Sequence, residues 1–198
     1  MSEQWCIGNI TGSYLWHEDI GGILPMSPGK AKRYDYEYGK QGSCCVFLAF
    51  DPHRKFRYVE VRDRRTAVDY AEFMQCLLTC YYPQAEKIGL VQDNLNTHTP
   101  GAFYEILSAD QAFELGTRFE LHYTPKKGSW LNMAEIELAA LCKQCLSGRI
   151  ADVVQLRQEV LAWAGIGNQK RCGVAWTFAK ADARANLGRH YTDVNKLF

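Results

Sequence analysis

The feature that most constrains the fold is an unbroken apolar run at residues 44–50, CCVFLAF. An apolar run of this length, bounded by turn residues, predicts a buried strand. Asp51-Pro52 then predicts a turn. Residues 56–61, FRYVEV, are rich in aromatic and β-branched residues, which favours a second strand. The sequence therefore predicts a hairpin that contributes to a buried sheet.

Helices and strands alternate after this hairpin. Helices are predicted from cap residues and from apolar residues that recur every three or four positions, and strands from short apolar or alternating runs. In chain order the pattern predicts a helix over 66–82, a strand over 87–92, a helix start at 99–100, a helix over 108–116, a strand over 118–123, and helices over 132–146, 152–165 and 180–188.

This order predicts an α/β fold, a mixed sheet with helices packed on it. An RNase H-like fold has the same order but begins with three antiparallel strands, and only two are found before the first helix. Residues 1–43 contain Pro25, Pro28 and several glycines, and they predict an irregular N-terminal part. Without a repeat or a linker, the whole chain, 1–198, is predicted to be a single domain whose sheet is incomplete at its first strand.

Composition excludes some functions. The formal net charge is +1, from 23 Lys and Arg against 22 Asp and Glu, which argues against a purely electrostatic nucleic-acid binder. Local basic clusters exist, among them Arg54, Lys55 and Arg57, and solvated surface charge is the ordinary interpretation of each. No apolar run approaches the ~20 residues of a membrane helix. The N-terminus does not resemble a signal peptide, so a cytoplasmic protein without membrane contact is expected.

The chain has eight cysteines. In a reducing compartment these are expected to be free thiols rather than disulfides. Cys142 and Cys145 form a CxxC, but no second pair supplies the remaining ligands of a zinc site.

Asp93 follows the predicted strand 87–92, in VQDNLNTH. Sites in open α/β sheets gather at the carboxyl ends of strands, and a carboxylate there can hold Mg²⁺. The alternative is that Asp93 and Asn94 only form a turn.

Glu135 begins the predicted helix in GSWLNMAEIELAAL, 42 positions after Asp93 (135 − 93 = 42). That spacing leaves room for helices and a strand, so both carboxylates can return to one rim of the sheet. The alternative is structural: Asn132-x-x-Glu135 is a capping-box pattern, in which Glu135 only bonds its own helix start.

The strings VQDNLNTH and HYTPKKGSWLNMAEIE resemble the second and third catalytic blocks of DDE transposases, among the bacterial insertion-sequence members of the Tc/mariner-like superfamily. PMSPGKAKRYDYEYGKQGS and RRTAVDYAEFM resemble further blocks of that family. The resemblance implies an RNase H-like fold, two aspartates and one glutamate that hold Mg²⁺ or Mn²⁺, and DNA cleavage and joining at transposon ends. It also implies a homodimer, whereas an intact transposase is the expected partner if the domain is catalytically dead.

By this resemblance Asp93 is the second carboxylate and Glu135 the third, and both are expected to be catalytic and to bind metal. The surrounding residues of the motif, expected to support the site, are Asn94, His98, Trp130 and Asn132. Two metal ions ~3.5–4 Å apart can activate the attacking oxygen and stabilise the leaving oxygen, which requires several converging anionic ligands. For His98 a hydrogen-bonded structural role is the alternative, and for Trp130 a packing role.

The family's first aspartate is not found on any predicted strand. Glu18 and Asp19 fall in a segment without a strand, and Asp51 follows a strand at a position that is not catalytic in the family. The family's helix-turn-helix region is not found either. We therefore expect weak or no strand transfer by this chain alone. The alternative function is a catalytically dead RNase H-like module that binds DNA or an intact transposase.

Overall fold

The computed structural model describes residues 3–10, 17–19, 27–28, 30, 38–40, 43–93, 95–124, 132–146, 150, 152–175 and 182. Its main feature is a five-stranded mixed sheet in the order β5-β4-β1-β6-β7. The strands are β1 (Glu3–Ile10), β4 (Cys45–Asp51), β5 (Phe56–Arg62), β6 (Ile88–Gln92) and β7 (Phe119–Tyr123). A separate two-stranded sheet pairs β2 (His17–Asp19) with β3 (Tyr38–Lys40).

The sheet is antiparallel on one side of β1 and parallel on the other. β1 pairs antiparallel with β4 and β4 with β5, whereas β1, β6 and β7 are parallel. The helices are α1 (Ala67–Cys76), α2 (Ala109–Thr117), α3 (Met133–Gln144) and α4 (Val153–Gln169), with a π-helical segment at Leu77–Tyr81 and a 3-10 helix at Pro100–Glu105. This is the RNase H-like mixed α/β sheet that the element order predicts.

β4 shows why the run at 44–50 is apolar throughout. Phe47 and Ala49 pack into a core with α1, α2 and the 3-10 helix. Val46 and Leu48 point the other way, into a core with α3 and α4. Because successive side chains of a strand alternate between faces, a strand covered on both faces needs apolar residues at every position.

The expectation that 1–43 is irregular is wrong for β1, β2 and β3, and Glu18 and Asp19 lie in a strand after all. The expectation that the first strand is missing is wrong because of β1. β1 occupies the centre of the sheet, between β4 and β6. Its sequence, EQWCIGNI, contains the strand-forming residues Trp5, Ile7 and Ile10, but it has no sustained apolar alternation and is interrupted by Gly8-Asn9, which are depleted in strands. The segment forms a strand nevertheless, because β4 and β6 would otherwise each leave unpaired backbone N–H and C=O groups in the middle of the sheet.

The capped helices agree with prediction. Capping boxes form at Thr66 with Asp69 and at Ser108 with Gln111. The predicted helix after Thr66 runs as α1 and then as the π-helical segment, and it stops before Pro83. α4 continues to Gln169, beyond its predicted end, and the helix predicted at 180–188 lies outside the described residues except for Asp182.

Within the part of the chain described above, no helix is long and apolar enough to cross a membrane. The seven cysteines outside β1 are free thiols, as expected from sequence.

Thiol reactivity is expected to separate these cysteines into two classes. Burial raises the pKa of Cys44 to about 11 and also raises that of Cys45. Since the thiolate is the reactive form, both thiols should resist alkylation at pH 8, whereas the exposed Cys80 and Cys172 should react within minutes. Mass spectrometry after an iodoacetamide pulse would measure this, with the urea-unfolded chain as control. Early labelling of Cys44 in the folded chain would contradict the burial of β4.

Candidate metal centre

Asp93 lies immediately after β6, at the carboxyl end of a central parallel strand. Its side chain is 26% exposed, so it is open to solvent at the carboxyl end of the parallel strands. The structure therefore places Asp93 where ligands bind in open α/β sheets.

A buried polar network holds Asp93 from behind. His98 Nδ1 donates a hydrogen bond to Asp93 Oδ1 at 2.8 Å, and the His98 side chain is 1% exposed. Gln92 Nε2 donates to the His98 carbonyl at 2.9 Å, and Tyr70 Oη donates to Gln92 Oε1 at 2.8 Å. The Tyr70 ring also stacks on the imidazole, with centroids 4.6 Å apart. Because every member has a partner, the network fixes the orientation of the Asp93 carboxylate.

Tyr70 and Gln92 were not identified from sequence. The one available signal was Gln92 itself, a polar residue that ends an otherwise apolar strand and turns out to be fully buried. Tyr70 occupies the apolar face of α1, where an aromatic residue is ordinarily only a core residue.

Glu135 lies in the first turn of α3, which packs on β1. Asn132 caps this helix: its Oδ1 accepts from Ala134 N at 3.1 Å, and the side chain is fully buried. The cap bond therefore goes to the residue before Glu135, unlike the reciprocal boxes at Thr66 and Ser108. Asn132 positions the start of the helix that carries Glu135.

Glu137, two residues further along α3, anchors the helix to β5, an edge strand of the sheet. Its carboxylate accepts from Arg57 Nε at 2.5 Å and from Arg57 Nη2 at 2.8 Å, and both side chains are 4% exposed. The Arg57 guanidinium also lies over the rings of Phe50 and Trp163, at 5.1 and 5.3 Å. A bidentate pair of this kind restricts both the rotation and the translation of α3.

The two predicted catalytic carboxylates interact. Burial raises the pKa of Glu135 above its ordinary value, and the charge of Asp93 raises it further. Two carboxylates that repel each other in a half-buried setting favour a cation between them, and carboxylate oxygens are the ligands that Mg²⁺ and Mn²⁺ prefer. Asp93 and Glu135 would therefore supply two carboxylate ligands of such an ion.

The position beside Asp93 on β1 is a glycine. Cys6 pairs with Val91, so Gly8 lies level with Asp93, two residues further along each segment. Gly8 also pairs with Leu48, which belongs to the core on the α3 side of the sheet, so position 8 faces α3. The acidic residue of β1, Glu3, pairs with Ile88 at the opposite end of β6. Within the described residues, no three His, Cys, Asp or Glu side chains form a group that could hold a metal ion.

The remaining acidic candidates lie elsewhere. Asp51 is buried at the end of β4, where it accepts from the backbone of His53 and Arg54 and from Tyr82 Oη, which is a structural role. Glu18 and Asp19 belong to β2, in the separate small sheet. Two predicted supporting residues, Asn94 and Trp130, lie outside the described residues.

The sheet order, with helices on both faces and two carboxylates at the carboxyl edge, defines an RNase H-like α/β domain. The chain belongs to the DDE superfamily endonuclease family, whose model matches residues 22–157.

Solved structures of the Mos1 mariner transposase share this fold. The paired-end complex with Mn matches at 14% identity with a TM-score of 0.52, the paired-end complex with the left transposon end at 13% and 0.54, and the strand transfer complex at 13% and 0.53. Each match covers 85% of this chain but only 51%, 50% and 50% of the respective Mos1 chain. This chain thus spans about half the length of these transposases. No curated protein sequence is significantly similar to it.

Proposed function

We propose that this chain is a transposase-type DDE endonuclease domain that binds Mg²⁺ or Mn²⁺ between Asp93 and Glu135 and cleaves and joins DNA at transposon ends. The proposal is supported above all by the placement of the two carboxylates: Asp93 follows β6, and Glu135 lies in the first turn of α3, which packs on the neighbouring strand β1. Family membership supports the same chemistry.

Each residue has a defined task in this proposal. Asp93 and Glu135 supply the anionic ligands, His98 orients Asp93, and Asn132 fixes the helix start that presents Glu135. A bound divalent ion supplies Lewis-acid stabilisation of the phosphoryl group. Asn94 and Trp130 belong to the proposal only through the motif that they share with the family.

A second candidate function is favoured by Gly8. With a glycine level with Asp93, the described residues offer two carboxylates at this edge instead of three. A two-carboxylate site binds metal more weakly, because affinity rises with the number of charged ligands. The chain is then an RNase H-like module that binds DNA or an intact transposase without cutting.

Metal binding by the full chain tests the site. In Mn²⁺ calorimetry we expect saturable binding by the wild type, and binding weakened by about tenfold or more in Asp93→Asn and Glu135→Gln, by analogy with the loss of metal-site partners. These substitutions preserve shape and remove charge. Glu114→Gln, at an exposed position on α2, is the matched control and should bind as the wild type does.

Equal Mn²⁺ binding by all four proteins would exclude a metal site at Asp93 and Glu135. If Mn²⁺ binding is instead weakened in the two carboxylate variants, nicking of supercoiled DNA in Mn²⁺ separates the endonuclease from the binding module. Cleavage by the wild type that disappears in Glu135→Gln supports the endonuclease, whereas metal binding without cleavage supports the binding module.

A further inference from the structure

A cleft of about 490 Å³ lies away from the metal centre, lined by His53, Arg54, Lys55, Phe56, Asn168 and Arg171. We call it the basic cleft. Its lining holds two arginines, a lysine and a histidine but no acidic residue, and all four of these side chains are exposed. In a chain with a net charge of only +1, this is a local concentration of positive charge.

The basic cleft lies at the opposite end of the sheet from Asp93. β4 runs antiparallel to β1, so the hairpin loop after Asp51 emerges at the end where β6 begins. Phe50 pairs with Cys6, which places Asp51 level with Leu90, three residues before Asp93. At ~3.3 Å per residue, the loop starts about 10 Å from Asp93 along the strand direction and continues away from it. The basic cleft is therefore separate from the metal centre.

Two basic residues of the cleft have an unfavourable backbone conformation. Lys55 has a φ of 54° and Arg171 a φ of 48°, and in the described part of the chain these are the non-glycine residues with positive φ. Left-handed backbone is strained for a residue with a Cβ, and such strain persists at functional sites. Both strained residues line the same cleft, and both are cationic.

Arg171 occupies a position that ordinarily belongs to glycine. At the end of α4, Cys172 N donates to the Gly167 carbonyl at 3.0 Å and Arg171 N to the Asn168 carbonyl at 3.2 Å. These two bonds form a Schellman motif, in which the left-handed residue after the cap is usually glycine. An arginine at this position makes the chain less stable than a glycine would, and it places a guanidinium at the cleft.

The walls of the cleft are held in place. Asn168 exchanges two hydrogen bonds with the backbone of Arg57, at 2.7 and 2.9 Å, which ties the end of α4 to β5. Asp51 holds the hairpin loop through the backbone of His53 and Arg54. Lys55 Cγ lies 3.0 Å from the position that a Cβ at residue 173 would occupy, so the backbone of Gly173 packs against the lysine side chain.

We propose that the basic cleft binds the phosphodiester backbone of duplex DNA, as a contact independent of the metal centre. This inference rests on the proposed function, since it supplies a second DNA-binding surface for the same domain. Exposed cations along an open cleft suit a polymer that offers several phosphates, because Arg and Lys contacts to successive phosphates release counterions and position the protein on the duplex. The backbone strain at Arg171 and Lys55 is the structural cost of presenting these charges.

Fluorescence anisotropy with a labelled 20-base-pair duplex of arbitrary sequence, in EDTA, tests this with the full chain. The variants are Arg171→Gly, Arg171→Gln and Lys55→Asn, with Lys143→Gln, an exposed charge on α3 outside the cleft lining, as control. Each cleft variant should bind roughly tenfold more weakly at about 0.1 M salt. Its slope of log K against log salt should be less negative by about 0.9, the value of one phosphate contact. Lys143→Gln should change neither.

Arg171→Gly distinguishes function from structure, because it should weaken DNA binding and raise Tm by about 2–4 °C as the strain is released. Unchanged DNA binding by Arg171→Gly, an equal loss in Lys143→Gln, or no duplex binding by the wild type would each overturn the inference. If the cleft variants bind the duplex as the wild type does while Mn²⁺ binding is intact, the cleft inference fails and the metal-centre proposal remains. If the wild type binds no Mn²⁺ while the cleft variants lose duplex affinity, the metal-centre proposal fails and the cleft inference remains.

Discussion

Replacing Glu137 by alanine is expected to lower the free energy of unfolding by about 3–5 kcal/mol, because it leaves the buried Arg57 guanidinium without its carboxylate. Arg57 and Glu137 are both 4% exposed, and they meet through two hydrogen bonds. Arg57 Nη1 already lacks a hydrogen-bond partner among the described residues, so loss of Glu137 would leave most of the guanidinium unsatisfied. Against a typical total of about 5–15 kcal/mol, this is a large fraction of the stability. Urea denaturation monitored by circular dichroism would measure it.

The double variant Arg57→Met/Glu137→Leu separates the value of the pair from the cost of breaking it. Apolar replacements of similar volume avoid the desolvation of both charges, so we expect the double variant to be more stable than Glu137→Ala. Glu159→Ala, at an exposed position on α4, is the control and should change stability by less than about 0.5 kcal/mol. A cost below about 1 kcal/mol for Glu137→Ala would contradict the burial of the pair, given the magnitudes known for buried ion pairs.

The same pair bears on the candidate metal centre because it anchors α3. Glu135 and Glu137 share one helix, and the Arg57 contact restricts how that helix lies on β1 and β4. Glu137 is thus a positioning residue, and the double variant should retain Mn²⁺ binding if apolar packing holds α3 equally well. This readout distinguishes placement of Glu135 from a direct role of Glu137 at the metal.

Replacing Gly8 by aspartate is expected to raise Mn²⁺ affinity on the order of tenfold, since charged ligand count is a main determinant of affinity at oxygen sites. Position 8 lies level with Asp93 and on the α3 side of the sheet. A carboxylate there completes a three-carboxylate site with Asp93 and Glu135. We also expect Mn²⁺-dependent nicking of supercoiled DNA by this variant to exceed that of the wild type. Calorimetry and a nicking assay would measure the two effects.

Asn9→Asp is the matched control for Gly8→Asp. It adds the same charge one residue away, but position 9 pairs with Phe47, which belongs to the core on the opposite face of the sheet. Asn9→Asp should therefore leave Mn²⁺ affinity unchanged. Identical Mn²⁺ binding by Gly8→Asp, Asn9→Asp and the wild type, with cooperative melting of all three, would show that position 8 does not face the candidate metal centre.

Much of the sheet was readable from local pattern. The apolar run at 44–50, the hairpin turn after Asp51 and the capping boxes at Thr66 and Ser108 each produced the predicted element. These signals are local, because caps, turns and side-chain periodicity involve residues a few positions apart.

β1 was missed for the opposite reason. Its local pattern is mixed, and its place depends on hydrogen bonds to β4 and β6. The paired residues lie 36 to 44 positions away in β4 (46 − 10 and 50 − 6) and 85 positions away in β6 (88 − 3). Whether two distant strands leave a gap that a third segment can fill is a property of the assembled sheet. No window of sequence around Glu3–Ile10 contains that information.

By itself, the sequence determined the order of most helices and strands, the RNase H-like class and the candidates Asp93 and Glu135, since motifs and periodicity are local properties. Only the tertiary structure decided that β1 fills the centre of the sheet, that a glycine stands level with Asp93, and that His98 holds that aspartate. It alone also brought Lys55 and Arg171 to one cleft. These relations join residues far apart in the chain, and only the packing of strands and helices sets the distances between them.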